Sequence, residues 1–284
     1  MGVGFADGAP PITVAALIAT RGRPALLGQA VRSIAAQTRP PEALVVVNDG
    51  GAAGDVVAAR MAARLPATAV RVARLSPGAG HVRARNAGLA LVEESHVAIL
   101  DDDDLWLPDH LAGLVAALAA GAALAYADAE VVTVDRRAQP ARVLARQPFS
   151  LPWDDALARR YNLVVPSGMA YARALHGEVG PFDARAGHHW DWDFVLAVAG
   201  AGHRPARVPA ATVLYSIDAA GRNESARTDE MRRSVARLAG ARGLATDRPH
   251  TFGTMLEEPD VRAHLAPTRR DWDGRWPPRR RRPG

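Results

Sequence analysis

The chain has 284 residues, 48% hydrophobic and 23% charged, which excludes a disordered protein and leaves room for a substantial core. All 35 basic residues are Arg and there is no Cys, which excludes a disulfide framework, a thiolate zinc site and a cysteine nucleophile. Of the formal net charge of +5, four positive charges sit together at Arg279 to Arg282, so the rest of the chain is nearly neutral and no nucleic-acid partner is expected.

Met1 to Pro11 lacks the basic region and apolar core of a signal peptide. The most apolar stretch, Leu111 to Ala127, is too short for a membrane span. A cytoplasmic protein without a transmembrane segment is the expectation, its Pro/Arg tail a solvated extension.

The first half alternates short apolar runs with helical stretches, the pattern of a βαβ architecture. Ile12 to Ala19 reads as a strand, Pro24 to Gln37 as a helix, Leu44 to Val47 as a strand buried on both faces, and Asp55 to Arg64 as a helix. Val70 to Arg74 follows as a strand, His81 to Val92 as a helix behind the loop Ser76 to Gly80, and Val97 to Leu100 as a strand. Pro108 opens a helix to about Ala120, with proline in the first turn where its missing N–H costs nothing.

Beyond Ala122 short strands are read at Leu124 to Ala127, Val131 to Val134, Val164 to Tyr171 and Thr212 to Tyr215, with helices at Trp192 to Ala201 and Thr228 to Ala241. Ala219 to Ala226 is polar. Open α/β sheets bind ligands beyond the carboxyl ends of their strands, so the site belongs where Ala19, Val47 and Leu100 give way to polar residues.

The strongest chemical feature is Asp101-Asp102-Asp103-Asp104, directly behind a buried strand. Adjacent carboxylates repel one another unless a cation or hydrogen-bond donors compensate them, and hard oxygen ligands favour Mg²⁺ or Mn²⁺. A solvated acidic loop capping the next helix is the competing reading. A second cluster runs from His188 through His189, Trp190, Asp191, Trp192 and Asp193 to Phe194, preceded by Val179 to Asp183.

Thr20-Arg21-Gly22-Arg23-Pro24, Val45 to Gly50, Arg83 to Gly88 and Leu100 to Pro108 resemble, in order and spacing, the nucleotide-sugar half of family 2 glycosyltransferases. The resemblance spans roughly Pro11 to Tyr215. It implies a GT-A type α/β fold, a Rossmann-like, mainly parallel central sheet flanked by helices, with an acceptor-side α+β extension. The implied catalytic domain is 1–218, divided into a nucleotide-sugar half at 11–121 and an acceptor half at 122–218. Residues 219–284 are left as a helical extension with the basic tail.

The same resemblance implies roles for individual residues. Thr20 and Asp49 hold the nucleobase and ribose, and Arg21, Arg23, Arg83 and Arg85 face phosphate. Asp103 is the metal ligand, with Asp101 beside it as a second candidate; Asp101 and Asp102 lie near ribose and sugar, and Asp104 caps the following helix. The His188 to Phe194 cluster looks like the acceptor-side motif, its usual Glu-Asp pair replaced by Trp190-Asp191, so Asp191 is the general base, with Trp190 and His189 at the acceptor. Asp218 stands where relatives often carry a His and is a further metal candidate, and Arg222 and Asn223 are candidates for a lid.

The implied reaction is inverting transfer of a sugar from a nucleotide diphosphate donor to a hydroxyl or amine of a small-molecule or carrier-bound acceptor. UDP is favoured by Asp49, with dTDP and GDP open, and the oligomeric state is not legible. A nucleotidyltransferase and an Arg-driven binder of nucleic acid or anionic surfaces are the alternatives; Thr20 to Pro24 is too short and poor in Gly for the phosphate loop of the former.

Overall fold

The computed structural model describes residues 11–50, 65–221, 228–245 and 248–278. The expected helix at 55–64, the lid residues Arg222 and Asn223, and the tail at Arg279 to Arg282 lie outside the described residues.

β1 (Val14–Thr20) and β2 (Ala43–Asn48) are unbroken apolar runs buried along their whole length, because they pair in parallel at the centre of a sheet covered on both faces. β3 (Ala69–Arg74) extends the sheet beyond β2 and β4 (His96–Ile99) pairs in parallel with the other side of β1. The second half adds β5 (Leu105–Trp106), β6 (Leu124–Asp135), β7 (Arg142–Phe149), β8 (Met169–Ala172) and β9 (Ala206–Asp218). The strand order is β3-β2-β1-β4-β8-β6-β9-β5, with β7 pairing β6. The first four strands are therefore parallel, and the sheet turns mixed at the antiparallel β4–β8 pair.

The longer helices are α1 (Pro24–Ile34), α2 (His81–Leu89), α3 (His110–Ala119), α4 (Trp190–Gly200) and α5 (Thr228–Arg242). Among the described residues no helix is long and apolar enough to cross a membrane. The C-terminal residues pack into the same core: Met255, Leu256 and Val261 join the main cluster, and Trp272 and Trp276 pack with Leu105, Val132 and Leu214.

Several elements differ from the expectation for identifiable reasons. The two short strands expected at Leu124 to Ala127 and Val131 to Val134 are one strand, β6. Its acidic interior looks like a break in sequence, but Arg207 forks onto Asp128 at 2.8 and 2.7 Å and Arg270 onto Glu130 at 2.6 and 2.8 Å, so both carboxylates stay buried in the strand. β9 is likewise 13 residues long rather than the four expected at Thr212 to Tyr215.

The predicted strand Val164 to Tyr171 is a 3₁₀ turn at Pro166–Gly168 followed by β8, since Pro166 cannot donate to a ladder. β7 is an edge strand, largely exposed, with Arg142, Arg146 and Gln147 interrupting its apolar residues, so the run does not stand out in sequence. Helix α3 starts at His110, beyond Pro108, whose carbonyl instead accepts a hydrogen bond from the Thr38 amide at 2.8 Å.

Gly88 shows how closely α2 lies on the sheet. A Cβ there would collide with the Leu17 side chain and come within 2.9 Å of Val47 Cγ2, both in buried strands. Gly88→Ala is expected to destabilise the fold by about 1–3 kcal/mol through overpacking, measured as a shift of the urea unfolding midpoint with an unchanged slope.

Candidate active site

The carboxyl ends of β1, β2 and β4 open onto a cavity of about 350 Å³, with α2 on one side and the entry to α4 on the other. Thr20, Arg21, Arg23, Asp49, Arg85, Asp101, Asp102 and Asp103 line it from the parallel half, and His189, Trp190 and Asp191 from the other.

The four aspartates behind β4 are compensated in different ways. Asp102, whose side chain is 0% exposed, accepts from Thr20 Oγ1 at 2.5 Å and from Arg23 Nε at 3.2 Å, and Arg23 Nη2 closes onto its other oxygen. Asp103 Oδ2 accepts from Arg23 Nη1 at 3.0 Å, and Asp101 Oδ1 pairs with Arg85 Nη2. Asp104 accepts from Ser167 Oγ at 2.6 Å and from the Ser216 amide at 2.8 Å. Asp104 does not cap the following helix as expected; it ties the β4 loop to the 3₁₀ turn and to β9, and residue 109 is the N-cap of α3.

Burial dominates the electrostatics. It pushes Asp102 up to about 7 and Asp103 and Asp104 above the usual carboxylate range, with repulsion among the neighbouring aspartates adding to it and Arg23 opposing it at Asp102 and Asp103. Burial works against the Arg23 cation, yet the charges of Asp103, Asp102 and Asp101 outweigh it and raise its pKa. Asp101 and Asp103 keep 23% and 15% of their side chains accessible, whereas Asp102 and Asp104 are shut in. The residues fit a hard divalent cation, since Asp101 and Asp103 offer carboxylate oxygens with an accessible face on the cavity. Asp101 and Asp103 would hold it. Among the described residues no group of three or more His, Cys, Asp or Glu side chains converges on a metal-sized site, so the remaining ligands have to come from a bound molecule or water.

Asp49 follows β2 and closes the opposite end of the cavity. Its oxygens accept from the Ala79 amide at 2.7 Å and the Gly80 amide at 2.9 Å. Gly80, at φ 97°, adopts the left-handed conformation that lets the loop turn these amides inward at the start of α2. Each carboxylate oxygen retains a second lone pair for a ligand.

Asp191 sits in the first turn of α4 and accepts from Asn162 Nδ2 at 2.7 Å. Burial lifts its pKa to about 7 against the lowering effect of that bond. Trp190 is 3% exposed; its ring packs edge-on against Phe182 at 4.6 Å and carries the Arg85 guanidinium 4.3 Å from its centroid. His189 hydrogen-bonds Ser234 of α5 at 2.8 Å and is held down at about 4 by burial, so it is neutral at pH 7.

Arg83 is exposed on α2 and does not line the cavity, nor does Asp218 at the end of β9, which accepts from the Ala220 amide at 2.9 Å. Sequence reasoning missed Asn162, Ser216 and the C-terminal contributors Glu230, Met231, His250, Phe252 and Met255, and also Ser167, which holds Asp104. Only the Pro-Ser-Gly turn at 166–168 carries a local signal; the others reach the cavity through long-range packing.

Comparison with known proteins agrees with this arrangement. The profile of "Glycosyl transferase family 2" matches residues 15–176. A Bacillus subtilis (strain 168) protein named uncharacterized glycosyltransferase YwdF is 34% identical over 262 residues, 92% of this chain and 96% of that protein. The succinoglycan biosynthesis protein ExoO of Rhizobium meliloti (strain 1021) is 31% identical over 198 residues, 66% of this chain and 56% of its own. Among solved structures, S. aureus TarS superposes with a TM-score of 0.59 at 16% identity, covering 80% of this chain and 40% of that one. The mannosyltransferase PcManGT from Pyrobaculum calidifontis, in complex with GDP-Man and Mn²⁺, gives 0.58 at 18% identity over 80% and 64% of the two chains.

The fold is that of a GT-A glycosyltransferase. The chain belongs to glycosyl transferase family 2.

The bridging role of Asp104 is testable through stability. Asp104→Ala strands the Ser167 hydroxyl and the Ser216 amide in a buried setting and is expected to cost about 2 kcal/mol, read from chemical denaturation. A change below about 0.5 kcal/mol, the range of neutral surface substitutions, would show that the bridge contributes little.

Proposed function

We propose that this chain is an inverting glycosyltransferase that moves a sugar from a nucleotide diphosphate donor, with UDP favoured, to a hydroxyl or amine of a small-molecule or carrier-bound acceptor. The observation that carries the proposal is the placement of Asp191, a buried carboxylate lifted to about 7, on the same cavity as the aspartate run behind β4. A base with a pKa near the working pH is matched to taking a proton from an attacking nucleophile.

Residues 11–121 supply the donor half and residues 122–218 the acceptor half, with the C-terminal extension adding a further wall. In the donor half Thr20 and Asp49 bind the nucleoside; an Asp49 oxygen with a spare lone pair accepts from the N3–H of uracil, which is the ground for UDP. The S. aureus TarS 1-349 structures in complex with UDP and with UDP-GlcNAc share the fold at TM-scores of 0.52 and 0.55, which supports a nucleotide-sugar donor. Arg21 and Arg23 reach the cavity from the loop after β1 and offer guanidinium groups to the diphosphate.

Asp103 and Asp101 hold Mg²⁺ or Mn²⁺, and the GDP-Man and Mn²⁺ bound in PcManGT support that choice. Such a cation would supply positive charge to offset the negative charge of the departing diphosphate. Arg23 holds Asp102 and Asp103 in register, and Arg85 holds Asp101. Asp191, steadied by Asn162, receives the acceptor proton as the nucleophile attacks the anomeric carbon from the face opposite the diphosphate, and inversion follows.

Two measurements test these roles. Because Asp191 acts as a base only when ionised, kcat should rise with pH to a plateau above about 7. Asp191→Asn should abolish that acid limb and lower kcat by about 10² to 10⁴ while donor binding persists. Asp103→Ala should remove Mn²⁺-stimulated transfer; full transfer by this variant in the presence of a chelator contradicts the metal role.

A further inference from the structure

The cavity is divided chemically as well as by sequence. Its donor half presents Arg23, Arg85, Asp49 and the aspartates, whereas the wall nearest Asp191 brings in Met231 of α5 and Phe252 and Met255 of the helical turn 252–255. Phe252 is fixed by edge-on contacts to Phe149 at 5.1 Å and Tyr215 at 5.0 Å. Met255 is anchored in the core at 1% exposure and Met231 is 7% exposed.

Several polar side chains on this side are paired with one another, and His250 and Tyr215 line the cavity beside them. Asn162 donates to Asp191 at 2.7 Å, His188 pairs with Glu230 at 3.1 Å, His189 with Ser234 at 2.8 Å, and the Thr251 hydroxyl accepts from the Thr254 amide at 3.1 Å. A hydroxyl group of the acceptor that is buried against Met231, Phe252 and Met255 is left unpaired and costs binding energy. A thioether and aromatic wall rewards the opposite kind of molecule.

We infer that the acceptor is an aglycone, a hydroxyl or amine carried on an aromatic or aliphatic skeleton, and that Phe252, Met231 and Met255 select it over hydroxylated sugars. The inference rests on the glycosyltransferase reading and narrows its acceptor class. The apolar skeleton lies against these three side chains, and its single nucleophilic group is directed at Asp191. Trp190 does not take this part, because its ring is held between Arg85 and Phe182.

Calorimetric titration of the full chain with 2-naphthol and, separately, with methyl α-glucopyranoside, each in the presence of UDP and Mn²⁺, tests this directly. The naphthol is expected to bind at least about tenfold more tightly than the glycoside, the scale of burying one large apolar group. Phe252→Ser and Met231→Gln should each weaken naphthol binding by about tenfold for the same reason. Two variants on separate elements, each checked by its melting curve, keep the outcome readable if one fails to fold. Equal or tighter binding of the glycoside, or naphthol binding that neither variant weakens, overturns the inference and leaves the transferase reading intact. Failure of UDP, GDP and dTDP to bind with Mn²⁺ instead overturns the transferase reading, and the acceptor assignment with it.

Discussion

Consecutive carboxylates buried at the end of a strand are tolerated only if something compensates each of them, and much of this structure is arranged around that demand. Arg23, from the loop after β1, bridges Asp102 and Asp103; Arg85, from α2, meets Asp101; Ser167 and Ser216 satisfy Asp104. These partners come from the loop after β1, from α2, from the 3₁₀ turn and from β9, so one local electrostatic problem joins both halves of the sheet. The result is graded: two carboxylates are sealed inside and two keep an accessible face.

In the parallel half β1, β2 and β4 are legible in sequence because they are short, mainly apolar runs inside the sheet, whereas β3 is the edge strand and carries Arg71 and Arg74. Thr20, Arg23, Asp49 and the aspartates are legible for a related reason, since each follows a strand end where the topology opens. The mixed half is less so. Asp128 and Glu130 look like a loop until Arg207 and Arg270 are seen beside them, and β7 pairs with β6 as a largely exposed strand broken by Arg and Gln. Glu230, Met231 and Phe252 reach the cavity only through the packing of α5 and the turn that follows it, which no local pattern encodes.

Trp190 illustrates how a departure from a family pattern is absorbed. Where the family resemblance leads one to expect an acid, the indole packs on Phe182 and carries Arg85, whose guanidinium meets Asp101. An acidic side chain there would compete for the same Arg; the aromatic face supports it without neutralising it. Asp191, the next residue, keeps its place on the cavity with Asn162 as its partner. Of the two carboxylates in the first turn of α4, Asp191 lines the cavity while Asp193 pairs with Arg242, and the indole puts a hydrophobic support beside Arg85.

The proposed metal role of Asp101 and Asp103 predicts that a divalent cation and the donor diphosphate bind together. Titration of UDP into the protein with Mn²⁺ and again with a chelator measures that coupling as a ratio of dissociation constants. The account predicts at least about tenfold tighter binding with Mn²⁺, a coupling of about 1.4 kcal/mol, because the cation and the diphosphate then stabilise each other. Equal affinity in the two titrations would contradict it.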